Sequence, residues 1–288
     1  MGRSVPSDLR HDHPGDALEP GVRTDLEGAL TYDGYLALPE LLACQRPVST
    51  SHDELLFIVI HQATELWLKL MVHELRAARG RIRADDLGPS FKMLARVSRI
   101  QEQLIRSWDV LSTLTPADYL GFRHLLGPAS GFQSHQYRLV EYLLGNRSRA
   151  KLAVFAGAPD LLAPLEAELG TPSLYDEAIS CLARRGFVVA PAVLARDPSR
   201  PYAHDPSVAA AWREVYRDSA HHWELYELAE KLVDLEDWFR QWRFRHVTTV
   251  ERIIGFKRGT GGTSGVPYLR HALDCVLFPE LWALRTEL

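Results

Sequence analysis

The stretch from His222 to Ile254 most narrows what this chain can fold into. Leu225, Leu228, Leu232, Leu235, Phe239, Trp242, His246, Val250 and Ile253 follow one another in steps of three and four. Such steps bring every member onto one face of an α-helix. The spacing predicts one long amphipathic helix with a single buried stripe, and a stripe of that length needs a large partner surface. Hydrophobic residues make up 46% of the chain and charged residues 24%, so a core of that size can be built in a soluble globular protein.

The rest of the chain reads the same way. Tyr32 to Leu42 predicts a short helix, and Asp53 to Arg79 a long one that stops at Gly80. Leu55 to Ile60 is apolar on every side, which predicts burial all round. Phe91 to Leu111 is a further helix. Thr115-Pro116-Ala117-Asp118 supplies an N-cap, a proline at the first helical position and an acid at the third. Gly127-Pro128 ends that helix and Phe132 to Leu144 resumes. Strand alternation between turn signals is missing, and no repeat is visible. The fold class is all-α, a helical bundle with one main core. Residues 1–22 read as a flexible arm and residues 23–288 as a single domain, within which 151–195 forms a small helical subdomain.

Composition excludes several functions. A formal net charge of -4, from 33 basic and 37 acidic side chains, gives no basic footprint for nucleic acid. Cys44, Cys181 and Cys275 lie far apart, with neither zinc nor haem-attachment spacing, and an odd count argues against a disulfide framework. The N-terminus lacks an apolar secretory core, and the run Leu55 to Ile60 is too short to span a bilayer. These features predict a soluble, cytoplasmic protein with no membrane partner.

Four constellations could carry chemistry. His246 lies within the apolar stripe, either as a hydrogen-bonded core histidine or as an axial ligand to haem, which needs an imidazole on an otherwise apolar face. Arg243, Arg245, Arg252, Lys257 and Arg258 surround it in sequence and could pair with haem propionates or simply face water. His61 recurs with Glu65, Lys69 and His73 at every fourth position, as a polar stripe or as a histidine offering a hydrogen bond inside a pocket. Tyr119 and Arg123 share a helix face, as a surface pair or a carboxylate clamp. The loop Gly259 to Gly265 carries four glycines and reads as mobile, an active-site cover or a plain connector. It lacks the ending of a phosphate-binding loop. His52-Asp53-Glu54 and His221-His222 offer a weaker non-haem iron reading.

Taken together, certain segments resemble a known family. LTYDGYLALPELL (30–42), HDELLFIVIHQATELWLKL (52–70), LTPADYLGFR (114–123), SGFQSHQYR (130–138), WRFRH (242–246) and IGFKRGTGGTSG (254–265) resemble the bacterial tryptophan 2,3-dioxygenases in order and spacing. The resemblance runs from about Gly21 to the C-terminus. It implies a homotetramer with a buried b-type haem, ferrous when active, that uses O2 to open the indole ring of L-tryptophan to N-formyl-L-kynurenine. His246 would be the proximal iron ligand, with Arg243 and Trp108 beside the haem. His61 would be the distal histidine that meets the indole N–H. Phe57 would wall the indole, Arg123 would bind the substrate carboxylate, and Tyr119, Gly259 and Thr260 would complete the pocket. Tyr32, Tyr35 and Leu36 would enter a neighbouring subunit's site. Two alternatives share this framework: an enzyme that oxidises a substituted tryptophan, inserting one oxygen atom, and a haem-binding sensor without turnover. A helical scaffold with a purely structural His246 is a third.

Overall fold

The computed structural model describes Leu18 and residues 20–288, and most of the arm expected over residues 1–22 lies outside that set. The described residues form thirteen α-helices and two short 3-10 segments, with no strand among them. The all-α reading is correct. The chain divides into two compact units, one ending at Gln45 and one covering Arg46–Leu288.

The first unit holds α1 (Tyr32–Leu36) and α2 (Leu38–Leu42). One helix was expected here. Ala37 interrupts it with a left-handed backbone, φ 49°. Thr31 caps α1 by accepting the Gly34 N–H at 3.1 Å.

The second unit contains α3 (His52–Arg83), α4 (Leu87–Leu111), α5 (Pro116–Arg123), α6 (His135–Leu143), α7 (Pro159–Leu169), α8 (Leu174–Arg184), α9 (Pro191–Leu194), α10 (Pro206–Arg217), α11 (Trp223–Ile254), α12 (Val266–Leu273) and α13 (Pro279–Leu284). The stripe predicted from sequence is α11 nearly to the residue. It packs on α4, which packs in turn on α3, and α6 closes the other side of α3. Leu68, Met71, Leu75, Ala78 and Ile82 of α3 join Leu94, Val97, Ile100 and Leu104 of α4 and Leu228, Leu232, Leu235 and Phe239 of α11 in one apolar core.

α3 does not stop at Gly80. Its buried stripe runs one turn further to Ile82, which is fully buried. Gaining that side chain outweighs the roughly 1 kcal/mol that glycine costs inside a helix. The turn after α3 comes at Asp85, φ 59°. Nor is Leu55 to Ile60 buried all round. Leu56, Phe57 and Ile60 enter a second apolar cluster with Leu111, Leu114, Tyr119, Phe122 and Ile253, while Leu55 and Val59 point outward. Only one side of this half of α3 meets the rest of the unit. The helix contains a window of mean hydropathy 1.5, long and apolar enough to cross a membrane, of which 17% is buried. The short run seen in sequence understates that length, because Ala63, Leu66, Trp67, Leu68 and Leu70 extend it.

Residues 151–195 carry α7, α8 and α9, as the short helical segments suggested. Leu165, Leu169, Tyr175, Ile179 and Leu182 join them to the main apolar core, and ion pairs add to the attachment. Glu168, 4% exposed, takes Arg76 at 2.9 Å and also pairs with Arg79. Arg147 donates to the carbonyls of Glu168 at 2.6 Å and Thr171 at 2.7 Å, closing the C-terminal end of α7.

Candidate active site between the long helices

Between α3 and α11 lies a cavity of about 840 Å³. That falls toward the upper end of ligand pockets, roughly 300–1,000 Å³. α3 presents Phe57, Ile60, His61, Thr64 and Glu65 to it, one helix face at successive turns. α11 presents Trp242, Arg243, His246, Thr249, Val250 and Ile253 from the other side.

His246 and His61 both open onto this space. Burial pushes the His246 imidazole down to about 4, and the neighbouring charge of His61 acts in the same direction. The ring stacks on Trp108 at 4.6 Å, with the two planes 11° apart. Burial also lowers the His61 pKa, partly opposed by a hydrogen bond to the Phe57 carbonyl. That bond, from Nδ1, measures 2.7 Å. It makes Nδ1 the protonated nitrogen, because a carbonyl can only accept, and leaves Nε2 as an acceptor. Both rings are therefore neutral near pH 7.

Phe57 packs on His61 at 4.2 Å and on Tyr119 at 5.6 Å. Tyr119 and Arg123 sit on α5 as the capping signal foretold. Thr115 caps the helix reciprocally with Asp118, whose carboxylate accepts the Thr115 N–H at 2.9 Å. Arg123 Nη2 donates to the Arg258 carbonyl at 2.6 Å, and its buried Nε has no partner among the described residues. One N–H of the guanidinium is thus left for a ligand.

The glycine loop is more fixed than its composition suggested. The Gly259 N–H donates to the Thr263 carbonyl at 3.1 Å and the Gly262 N–H to the Gly259 carbonyl at 3.0 Å. Thr260 Oγ1 donates to the Ala129 carbonyl. A Cβ on Gly261 would lie 2.7 Å from Ser130 Cβ, so only glycine permits this approach. Gly259, Thr260 and Ser130 all line the cavity.

The structure thus brings together Phe57, His61, Trp108, Tyr119, Arg123, Arg243, His246, Gly259 and Thr260 around one cavity. Tyr32, Tyr35 and Leu36 lie on α1 in the first unit, all exposed. His52-Asp53-Glu54 and His221-His222 form no metal site, since no group of three His, Cys, Asp or Glu among the described residues could hold an ion. Glu54 is used instead at the start of α3. Burial works against its charge, but the Ser49 hydroxyl and the Val48 and Ser49 amides hold its pKa below the usual carboxylate range. Sequence reasoning missed Ser130, Ser134, Arg138, Glu141 and Lys151 on the cavity wall.

Comparison with known proteins agrees with this geometry. The family profile described as tryptophan 2,3-dioxygenase matches residues 16–158 and 173–288. The chain belongs to the tryptophan 2,3-dioxygenase family. It is 62% identical over 267 residues to tryptophan 2,3-dioxygenase 1 of Ralstonia nicotianae, covering 93% of this chain and 91% of the relative. It is 60% identical over 268 residues to the tryptophan 2,3-dioxygenase of Cupriavidus necator, covering 93% and 91%. With that of a Bradyrhizobium species it is 60% identical over 275 residues, covering 96% and 99%. Family membership thus spans nearly the whole chain, including both long helices and the glycine loop.

Proposed function

We propose that this chain is a haem-dependent dioxygenase that opens the C2–C3 bond of L-tryptophan with O2, giving N-formyl-L-kynurenine. The observation that carries the reading is the pair of neutral imidazoles, His61 and His246, facing one large apolar cavity from two separate helices. A neutral imidazole is the form that ligates iron. Burial keeps His246 neutral, and its Trp108 stack holds the ring in place. These features fit a haem, whose iron His246 would hold. The haem would supply the binding and activation of O2.

The chain's own residues position the substrate. Arg123 offers its unpartnered Nε–H and its positive charge to the amino-acid carboxylate. Phe57 and Tyr119 form an aromatic wall for the indole. His61, held through Nδ1 by the Phe57 carbonyl, turns Nε2 toward the cavity as an acceptor for the indole N–H. Thr260 and Gly259 close the polar end, beside the Arg258 carbonyl that Arg123 holds. Fixing the reacting carbons in one pose is an entropic contribution to catalysis.

The working enzyme is read as a cytoplasmic homotetramer in which Tyr32, Tyr35 and Leu36 of one subunit enter the site of another. The free thiols of Cys181 and Cys275 suit a reducing compartment. The exposed apolar side chains Leu55, Val59, Leu66, Trp67 and Leu70 on α3 support burial between copies of the chain.

Mass spectrometry of products formed from tryptophan and labelled O2 tests the reading. Two labelled oxygen atoms in a ring-opened product are expected. One labelled atom, or turnover of a methylated tryptophan alone, points to the substituted-tryptophan enzyme. Haem binding without any product points to a sensor.

A further inference from the structure

The polar stripe that begins at His61 continues to Glu65, one turn further along the same face of α3. Glu65 is half-buried on the cavity wall. Burial raises its pKa, and the Ser134 hydroxyl, donating to the carboxylate, acts in the opposite direction. The Ser134 oxygen also accepts the Tyr137 N–H at 3.0 Å and so caps α6. Both functions of that hydroxyl are therefore in use. Between α5 and α6 the chain braces itself. Gln133 Nε2 donates to the Pro128 carbonyl at 3.2 Å, the Phe132 N–H to Ser130 Oγ at 3.3 Å and the Ser134 N–H to the Gly131 carbonyl at 3.0 Å. The glycine loop rests on this braced segment. The Ala129 carbonyl takes the Thr260 hydroxyl, and the Ser130 side chain fills the space that a Cβ on Gly261 would need. A carboxyl is costly to bury unless it is hydrogen-bonded, and Glu65 makes its bond to the residue where the loop's support meets α6.

We propose that Glu65 is a positioning residue for substrate binding: through Ser134 it holds residues 128–134 as the seat against which the glycine loop closes. The proposal rests on the reading of that loop as the cover over the polar end of the substrate. Glu65 itself touches neither the loop nor the substrate. It fixes the height of the seat relative to α3, the helix that also carries His61. One rigid helix then sets both ends of the site. His61 faces the indole, and Glu65, by way of Ser134, Ala129 and Ser130, places the loop at the amino-acid end. A site is held to a productive geometry by such supporting hydrogen bonds as much as by the groups that meet the ligand.

The test uses the full chain and reads the loop directly. Lys257 and Arg258 are exposed where the loop begins, so trypsin cuts after them when the loop leaves its seat, and mass spectrometry identifies the cut. Cleavage of a locally opened segment follows its open population. Glu65→Ala is expected to raise the cleavage rate at these two positions about two- to tenfold, the net contribution of one hydrogen bond. The affinity for L-tryptophan should fall by a similar factor. Glu65→Gln keeps an oxygen that accepts from Ser134 and should behave as the unaltered chain does. In Thr260→Val the loop has already lost its bond to Ala129, so adding Glu65→Ala should raise cleavage less than it does alone. Unchanged cleavage in Glu65→Ala overturns the proposal. So does an equal rise in Glu65→Gln, a full additional rise in the Thr260→Val background, or a rise at every basic residue alike, which is global loosening. Loop cleavage that responds as expected in a chain that binds no tryptophan overturns the substrate reading beneath the proposal, and the two failures are therefore distinguishable.

Discussion

Replacing Arg123 by leucine separates a loop tie that the structure shows from the carboxylate contact proposed above. Its Nη2 is committed to the Arg258 carbonyl at 2.6 Å, which ties α5 to the start of the glycine loop. The buried Nε–H remains for the proposed contact to the substrate carboxylate. A hydrogen bond to a charged group contributes about 1.5–3 kcal/mol, so losing the carboxylate contact should weaken tryptophan binding roughly ten- to 150-fold. Losing the loop tie should add about 1 kcal/mol, the net contribution of an ordinary hydrogen bond. Equilibrium titration with L-tryptophan and with tryptamine, which has no carboxylate, resolves the two. The loop contribution lowers both affinities by the same factor, and the carboxylate contribution appears only with tryptophan. Equal losses for the two ligands would show that Arg123 acts solely as a loop anchor. Unchanged affinity for both would remove it from the site.

Four further outcomes are expected. His246→Ala should purify without Soret absorption while its far-ultraviolet circular dichroism stays helical, and full haem occupancy would refute the axial role. Gly261→Ala forces a Cβ to within 2.7 Å of Ser130 Cβ, and overpacking of this kind costs about 1–3 kcal/mol, read as a roughly five- to 150-fold loss of tryptophan affinity at unchanged haem content. Glu168→Gln leaves Arg79, 12% exposed, without its ionic partner. Urea unfolding should show a loss of about 3 kcal/mol, the low end for breaking a buried pair because Arg76 is half-exposed. Glu54 has a lowered pKa in the folded chain, so its contribution is present above the unfolded value of about 4.3 and fades as pH falls through the folded one. The melting temperature of Glu54→Gln should therefore lie below that of the unaltered chain at pH 7, and the gap should narrow as pH falls below the unfolded value.

The features read correctly from sequence were those whose cause is local. The α11 stripe depends only on spacing, and the Thr115–Asp118 cap only on four consecutive residues. Errors arose where a distant element decides the outcome. Gly80 carries a stop signal, yet the helix continues because Ile82 finds a core formed by other segments. Leu55 and Val59 look like core residues because nothing in the sequence shows that one side of α3 is left uncovered by the other helices of the larger unit. The wall of Arg138, Glu141 and Lys151 was invisible for the opposite reason. Charged residues in a helix normally face water, and only the folded chain shows these turned inward. His246, Arg123 and the glycine loop were each ambiguous alone. The fold brings all of them to one cavity.

The wall of that cavity is assembled from Phe57 at one end of the chain order to Cys275 at the other, nearly the full length of the larger unit. No contiguous stretch contains a working fraction of it. The site can therefore be neither transplanted by grafting a loop nor recovered in a proteolytic fragment. Contacts so distant in sequence also form late in folding, because loop-closure entropy opposes them. The reactive interior comes into existence only after the surrounding bundle does, so a nascent or truncated chain has nowhere to bind the ingredients of the reaction.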